Sequence, residues 1–227
     1  MVIAMAFGVH WEWRGFGSIS EAFFDRYGVL PYEFGPLKVE DIYIWTPDLE
    51  VNLKIREGEE GGLKFKRPFG RDGHFERWVE RAEDLYPLPL ARQGWEVLAA
   101  ELAAAGLVLG PYPEEAPGHD QLLFLLERAG CRSVLVVKER GGRWWQGPNG
   151  RVLVEWSMIE KPQTLLSLSL ESEDLSAEAR AMTDEEAKAD LQAAIDALHF
   201  DRESLVPMNY MDALTTWIND RQINYPT

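Results

Sequence analysis

Short runs in which apolar and charged side chains alternate set the pattern of this sequence. In Val51-Asn52-Leu53-Lys54-Ile55-Arg56 the apolar residues take every other position and polar or charged ones fill the gaps. Leu63-Lys64-Phe65-Lys66-Arg67 repeats the arrangement, Val134-Leu135-Val136-Val137-Lys138-Glu139-Arg140 carries it again, and Glu12-Trp13-Arg14 begins it near the N-terminal end. In an extended strand, residues i and i+2 share a face. Lys54 and Arg56 therefore point one way and Leu53 and Ile55 the other; Lys64 with Lys66, and Lys138 with Arg140, follow the same rule. Strands of this kind in matching register give a sheet that is apolar on one face and cationic on the other. The cationic face is suited to an anion.

The remaining elements alternate with these strands. Residues 9–16 predict a strand. Ser18 followed by Glu21 predicts a capping box for a helix over 19–27, with Gly28 as its stop. Pro31 and Pro36 mark a connector, and a short strand over 41–45 ends at Thr46-Pro47-Asp48. The polar, glycine-rich stretch 57–62 reads as a hairpin loop between the two basic strands. Residues 75–86 fit either a helix or an aromatic strand. Trp95, Leu98 and Leu102 predict a helix over 94–105, and Asp120 one that runs through Arg128 before Gly130. Strands follow over 132–140, 151–159 and 164–171, joined by Gly141-Gly142-Arg143 and by a Gly147-Pro148-Asn149-Gly150 turn, both favouring antiparallel pairing. Thr183 with Glu186 forms a second capping box for a helix lined by Ala187, Leu191, Ile195 and Leu198, and 209–220 predicts a final helix. With no repeat and no long linker, the reading is one α+β domain over 1–227 built on a sheet or barrel.

Charge narrows the partners. The 227 residues carry 23 Lys+Arg against 38 Asp+Glu, a net charge of −15. Such a surface repels nucleic acid and anionic membranes, so neither is an expected partner, whereas a local basic patch still suits a small anion. The single cysteine, Cys131, excludes an intramolecular disulfide and a cysteine-rich zinc site. His74, His119 and His199 show no ligand spacing with it or with one another. The first eight residues lack the basic and apolar regions of a signal peptide, and no apolar run reaches the roughly 20 residues of a membrane span. The expectation is a cytoplasmic protein, monomeric or homodimeric.

Asp41-Ile42-Tyr43-Ile44-Trp45-Thr46-Pro47-Asp48, then Leu53-Lys54-Ile55-Arg56, then Leu63-Lys64-Phe65-Lys66-Arg67-Pro68, resembles a progression found in the CYTH superfamily of triphosphate tunnel enzymes. That superfamily includes thiamine triphosphatases, inorganic triphosphatases and class IV adenylyl cyclases. Lys138-Glu139-Arg140 is similar to its K-x-R strand, the run from Leu165 to Asp174 to its late E-I-E-x-E-S strand, and Tyr210 to its near-terminal tyrosine. The resemblance implies an antiparallel barrel of about eight strands around a tunnel lined by Lys, Arg and Glu. Helices would pack outside, with a helical and loop insertion around 82–130. The departures are specific. His10-Trp11-Glu12-Trp13-Arg14 stands for the family's E-x-E-x-K, so that His10 replaces a Glu and Arg14 a Lys. Ser167 and Ser169 replace two metal-binding glutamates, and Trp45 stands in place of an acid.

On this reading Arg14, Lys54, Arg56, Lys64, Lys66, Lys138 and Arg140 bind a phosphorylated anion such as a triphosphate, polyphosphate or nucleotide. Desolvated cations lose several kcal/mol of hydration each, roughly, unless paired. Phosphate oxygens supply such pairing, and Arg grips them with two donors. The alternative is an exposed basic face paired with acids such as Glu57 and Glu59. Glu12, Glu155 and Glu171 are the carboxylates placed near this face. They are candidate ligands for Mg²⁺ or Mn²⁺, in a site weakened by Ser167 and Ser169, which read as hydrogen-bonding wall residues. His10 is either a proton shuttle or a structural histidine. Trp11 and Trp13 are expected beneath outer helices, and Trp45 and Trp156 either in the core or at the tunnel edge. Gly61-Gly62 is a turn and not a phosphate-binding loop. No catalytic residue is assigned, and any reaction would be metal-dependent triphosphate hydrolysis. The alternatives are a non-catalytic binding or structural protein, and a calycin-like barrel holding an acidic aromatic ligand.

Overall fold

Period-two alternation becomes a closed sheet. The computed structural model describes residues 8–56, 61–80, 84–173, 175, 182–199, 204–219 and 221–224. Its elements run β1 (Gly8–Gly17), α1 (Glu21–Gly28), β2 (Tyr32–Trp45), β3 (Asn52–Arg56), β4 (Gly62–Asp72), β5 (Phe75–Glu80), β6 (Leu85–Tyr86), α2 (Arg92–Ala104), α3 (His119–Arg128), β7 (Arg132–Gln146), β8 (Arg151–Lys161), β9 (Leu165–Ser172), α4 (Asp184–Leu198), β10 (Leu205–Pro207) and α5 (Tyr210–Ile218). Eight strands pair in the order β1-β5-β4-β3-β2-β7-β8-β9, and β9 returns to pair with β1. Every pairing is antiparallel, so the expected α+β barrel of about eight strands is present. Short β10 and β6 pair alongside β1 and β4.

Closure gives each strand an inner and an outer face, and the helices bury the outer one. Trp11 and Trp13 of β1, with Val152, Val154, Leu168 and Leu170, pack against Ala187, Leu191, Ile195 and Leu198 of α4, as the two tryptophans were expected to do. Leu53, Ile55, Leu63 and Phe65 pack against Trp95, Leu98 and Leu102 of α2 and Leu122 and Leu126 of α3. A third cluster differs. It joins Phe16, Tyr43, Val136, Ile159 and Leu165 to Tyr210, Leu214 and Trp217 of α5. By register, Tyr43 shares a face with Lys54 and Phe16 with Arg14, so these are inward residues. α5 thus lies against inner-face side chains at one end of the barrel.

The capping box at Thr183 is formed: Thr183 Oγ1 accepts from Glu186 N at 3.2 Å, and Thr183 N donates to Glu186 at 2.9 Å. The one proposed at Ser18 is not; α1 starts after Ser20, whose side chain makes no cap bond. α3 starts after Gly118, one residue before the proposed Asp120 cap. The ambiguous stretch is strand, as β5 and β6, with 81–83 outside the described residues. The loop residues 57–60, including Glu57 and Glu59, also lie outside them. No helix among the described residues is long and apolar enough to cross a membrane.

Two breaks read from the sequence are absent. β2 begins at Tyr32 and passes straight through Pro36, because register shifts around Phe34 take up the residue that cannot donate to the ladder. Gly141 and Gly142 lie inside β7 and do not form a link. A Cβ on Gly141 would sit 2.9 Å from Trp156 Nε1, and one on Gly142 would run into the Phe34 ring. The two glycines leave room for rings to lie on the sheet. Gly142→Ala should therefore destabilise the fold by about 1–3 kcal/mol through overpacking. Gly70→Ala, whose nearest neighbour would be 4.0 Å away, should be near neutral. Equilibrium unfolding in urea measures both.

Candidate functional site

The inner face encloses a cavity of about 110 Å³ whose walls include all seven cations picked from alternation: Arg14 from β1, Lys54 and Arg56 from β3, Lys64 and Lys66 from β4, and Lys138 and Arg140 from β7. Register explains the convergence. Lys54 stands opposite Lys64, Gly142 opposite Glu155, and Glu12 opposite Glu171. The alternative of an exposed basic face is thereby corrected, because the face is turned into a closed barrel. The three acids chosen with them, Glu12, Glu155 and Glu171, line the same cavity.

Like charges directly opposite one another destabilise a sheet unless compensated. Here the compensation is internal. Asp41, fully buried, takes Arg56 Nε at 2.8 Å and Lys54 Nζ at 3.1 Å. Glu12 takes Lys66 Nζ at 2.5 Å and Arg14 Nε at 2.7 Å. Arg140 pairs with Glu155 at 2.7 Å, and Lys64 pairs with Glu80. Sequence reasoning missed Asp41 and Glu80. Asp41 was within reach, since the period-two rule puts it on the face of Tyr43; Glu80 was hidden because its segment had no assigned period.

The electrostatics follow from these pairs. Burial would raise Asp41, but the charges of Lys54 and Arg56 outweigh it and hold the carboxyl well below its usual range. Glu12 is likewise depressed against the pull of burial, by Lys66 and Arg14. Glu155 is lowered, against burial, chiefly by Arg140 and Lys138. Lys54 is lowered well below the ordinary ammonium range by burial and by the adjacent Arg56. Glu171 moves the opposite way from the other acids. Burial raises it, and with Glu12 and Glu155 adding to that rise the charge of Lys66 does not pull it back.

His10 is buried, with Nε2 at 4.0 Å from both Glu12 and Glu171. One ligand atom from each of the three lies within 4.8 Å of the others, which is compatible with a cation between them. Two of the three offer oxygen, as Mg²⁺ or Mn²⁺ prefers, but Glu12 is already engaged by Lys66 and Arg14. A metal here competes with two cations of the protein. Glu155, the third carboxylate candidate, lies apart from this group and is held by Arg140. Ser167 accepts from Arg14 Nη1 at 3.1 Å, and Ser169 donates to Glu171 at 3.5 Å.

Of the two positions weighed for Trp45 and Trp156, both take the packed one and neither lines the cavity. Trp45 packs with α5, its Nε1 donating to Thr215 at 3.0 Å, and Trp156 packs in the outer core. The cavity is bordered instead by Phe34, Trp78 and Trp144, together with Tyr43 and Tyr210. The two tyrosines stack at 5.1 Å between ring centres. Cys131 is buried in the outer core, its thiol raised by burial to about 11. Of the histidines, His10 stands between two of the cavity's acids, and His74 lines a smaller pocket that shares Glu12 and Arg14 with it.

No family model matches the chain, and no curated protein matches it significantly. Among solved structures it is similar to a conserved hypothetical protein from Pyrococcus furiosus at 14% identity and a TM-score of 0.49, over 89% of this chain and 98% of the other. It is also similar to a candidate adenylate cyclase from Bacillus halodurans at 15% identity and a TM-score of 0.43, over 90% of this chain and 96% of that one.

Glu80 gives the site a pH signature. Burial opposes ionisation, but Lys64 and Lys66 outweigh it and bring Glu80 from 4.5 down to about 2. A carboxyl depressed on folding stabilises the protein above its unfolded value and loses that contribution as pH falls through the folded one. Stability should therefore fall between pH 4.5 and about 2. Glu80→Gln should be less stable near neutrality and lose less across that window. Urea midpoints collected against pH give the test; parallel curves for the two proteins would contradict the pairing.

Proposed function

We propose that this chain is a divergent CYTH-like tunnel protein that binds a phosphorylated anion inside its barrel. The observation that carries the reading is the convergence of seven Lys and Arg side chains, from four strands, on one cavity. Six of the seven cations already hold a carboxylate of the protein, so binding at them is an exchange of partners. Phosphate oxygens replace carboxylate oxygens at Lys54, Lys66 and the guanidinium groups, with little change in the number of ionic hydrogen bonds. Arg14, Arg56 and Arg140 supply bidentate donors, and the lysines act as point charges. The calycin-like alternative is weakened by an interior of paired ions, since a site for an aromatic ligand is mostly apolar.

Tripolyphosphate, ATP and orthophosphate, each at millimolar concentration in low salt with and without Mg²⁺, should include at least one that raises the melting temperature. The Lys54→Ala/Lys66→Ala protein should lose that rise. If no phosphate shifts the transition in any condition, the binding proposal fails.

A second reading, metal-dependent hydrolysis of a phosphoric anhydride, is favoured by the His10, Glu12 and Glu171 group. When bound, Mg²⁺ or Mn²⁺ would neutralise charge on the phosphoryl group. Glu171, with its raised proton affinity, would accept or hold a proton at its carboxylate. Phosphate release from tripolyphosphate with either metal, reduced at least a hundredfold by Glu12→Gln, is the expected result for an enzyme. Release that persists in that variant does not depend on this group and contradicts the reading, and none with either metal leaves a binding protein.

A further inference from the structure

We infer that the metal-free tunnel is matched to a small dianion, orthophosphate or a compact phosphate monoester, and not to a triphosphate. This rests on the anion-binding reading above and narrows its ligand. Charge is the first support. The seven cations are faced by Glu12, Glu33, Asp41, Glu80, Glu155 and Glu171, which leaves a formal surplus of one positive charge among the described residues. A phosphate monoester carries about −1.5 to −2 near neutral pH and comes close to balancing that surplus. A triphosphate adds the charge of two further phosphoryl groups, with no cation left to meet it.

Pairing is the second support. Six of the seven cations are held by carboxylates, so an anion long enough to reach beyond Lys138 has to part several pairs to bind.

The seat follows from the pairing. Lys138 is the one cation of the seven with no carboxylate at ion-pair distance among the described residues. Its Nζ lies 3.2 Å from Tyr210 Oη and 4.8 Å from the centre of that ring. The Arg14 guanidinium stands 4.9 Å from the same ring, and Lys54 Nζ stands 5.3 Å from the ring of Tyr43, which is stacked on it. A tetrahedral dianion at Lys138 therefore meets Arg14 and Lys54 beside the tyrosine pair. It leaves Arg56 on Asp41, Lys64 on Glu80 and Arg140 on Glu155. Lys138 is the anchoring residue.

Calorimetric titration in EDTA at fixed ionic strength compares orthophosphate, glycerol phosphate and tripolyphosphate. One of the two monophosphates should bind at least tenfold more tightly than tripolyphosphate, and which one does so identifies free phosphate or an ester as the ligand. Added Mg²⁺, by offsetting charge, should narrow the gap. In Lys138→Met the preferred monophosphate should weaken at least tenfold, with the unliganded melting transition reporting a folded barrel. Tripolyphosphate binding in EDTA as tightly as either monophosphate would overturn the inference, whatever the variant does. So would an unchanged affinity in folded Lys138→Met. Absence of binding by every phosphate, with or without Mg²⁺, rejects the anion-binding reading itself, whereas tight tripolyphosphate binding in EDTA rejects this inference alone.

Discussion

Closing eight strands into a barrel confines every second side chain to a shared interior, and an ion placed there must find its partner inside. An unpaired buried charge loses several kcal/mol, roughly, of hydration. This constraint explains why Asp41, with no exposed surface, sits between Lys54 and Arg56, and why Glu12 holds both Lys66 and Arg14. It also accounts for the directions in which these groups titrate, with Asp41 and Glu12 pulled down and Lys54 losing affinity for its proton. The outer helices bury the other half of the alternation, and α5 fills one end of the inner face with apolar contacts.

For a ligand, the consequence is competition with the protein's own carboxylates. A site lined only by cations would attract any polyanion and would strain the barrel when empty. A site whose cations are paired is stable when empty, and it discriminates by which pairs a ligand has to part. Lys138, resting on Tyr210 in place of an acid, is the point where that exchange is least opposed. The same accounting makes a metal at Glu12 dependent on displacing Lys66 and Arg14.

Much of this was legible in the residues. Alternation placed all seven cations correctly, because a period of two fixes the face once the strand is recognised. It placed Glu155 correctly for the same reason. What remained hidden was what depends on pairing across strands. Asp41 could be read from the face it shares with Tyr43, though not its pairing with Lys54 and Arg56, and Glu80 belongs to a segment whose aromatic residues suit helix and strand equally. Gly141-Gly142 looks like a turn because nothing local announces that Phe34 and Trp156 lie over it. The aromatic border fell on Phe34, Trp78 and Trp144 for a similar reason. A tryptophan's face follows from register with a partner strand, which no single strand reveals.

The central claim is that the interior cations, with Lys138 foremost, hold an anion. A crystal structure with tungstate, a tetrahedral dianion that scatters anomalously, addresses it directly. The account predicts an anomalous peak inside the barrel, within hydrogen-bond distance of Lys138 Nζ and facing Arg14 and Tyr210. Tungstate confined to the outer surface, with the tunnel pairs intact at saturating concentration, would contradict it.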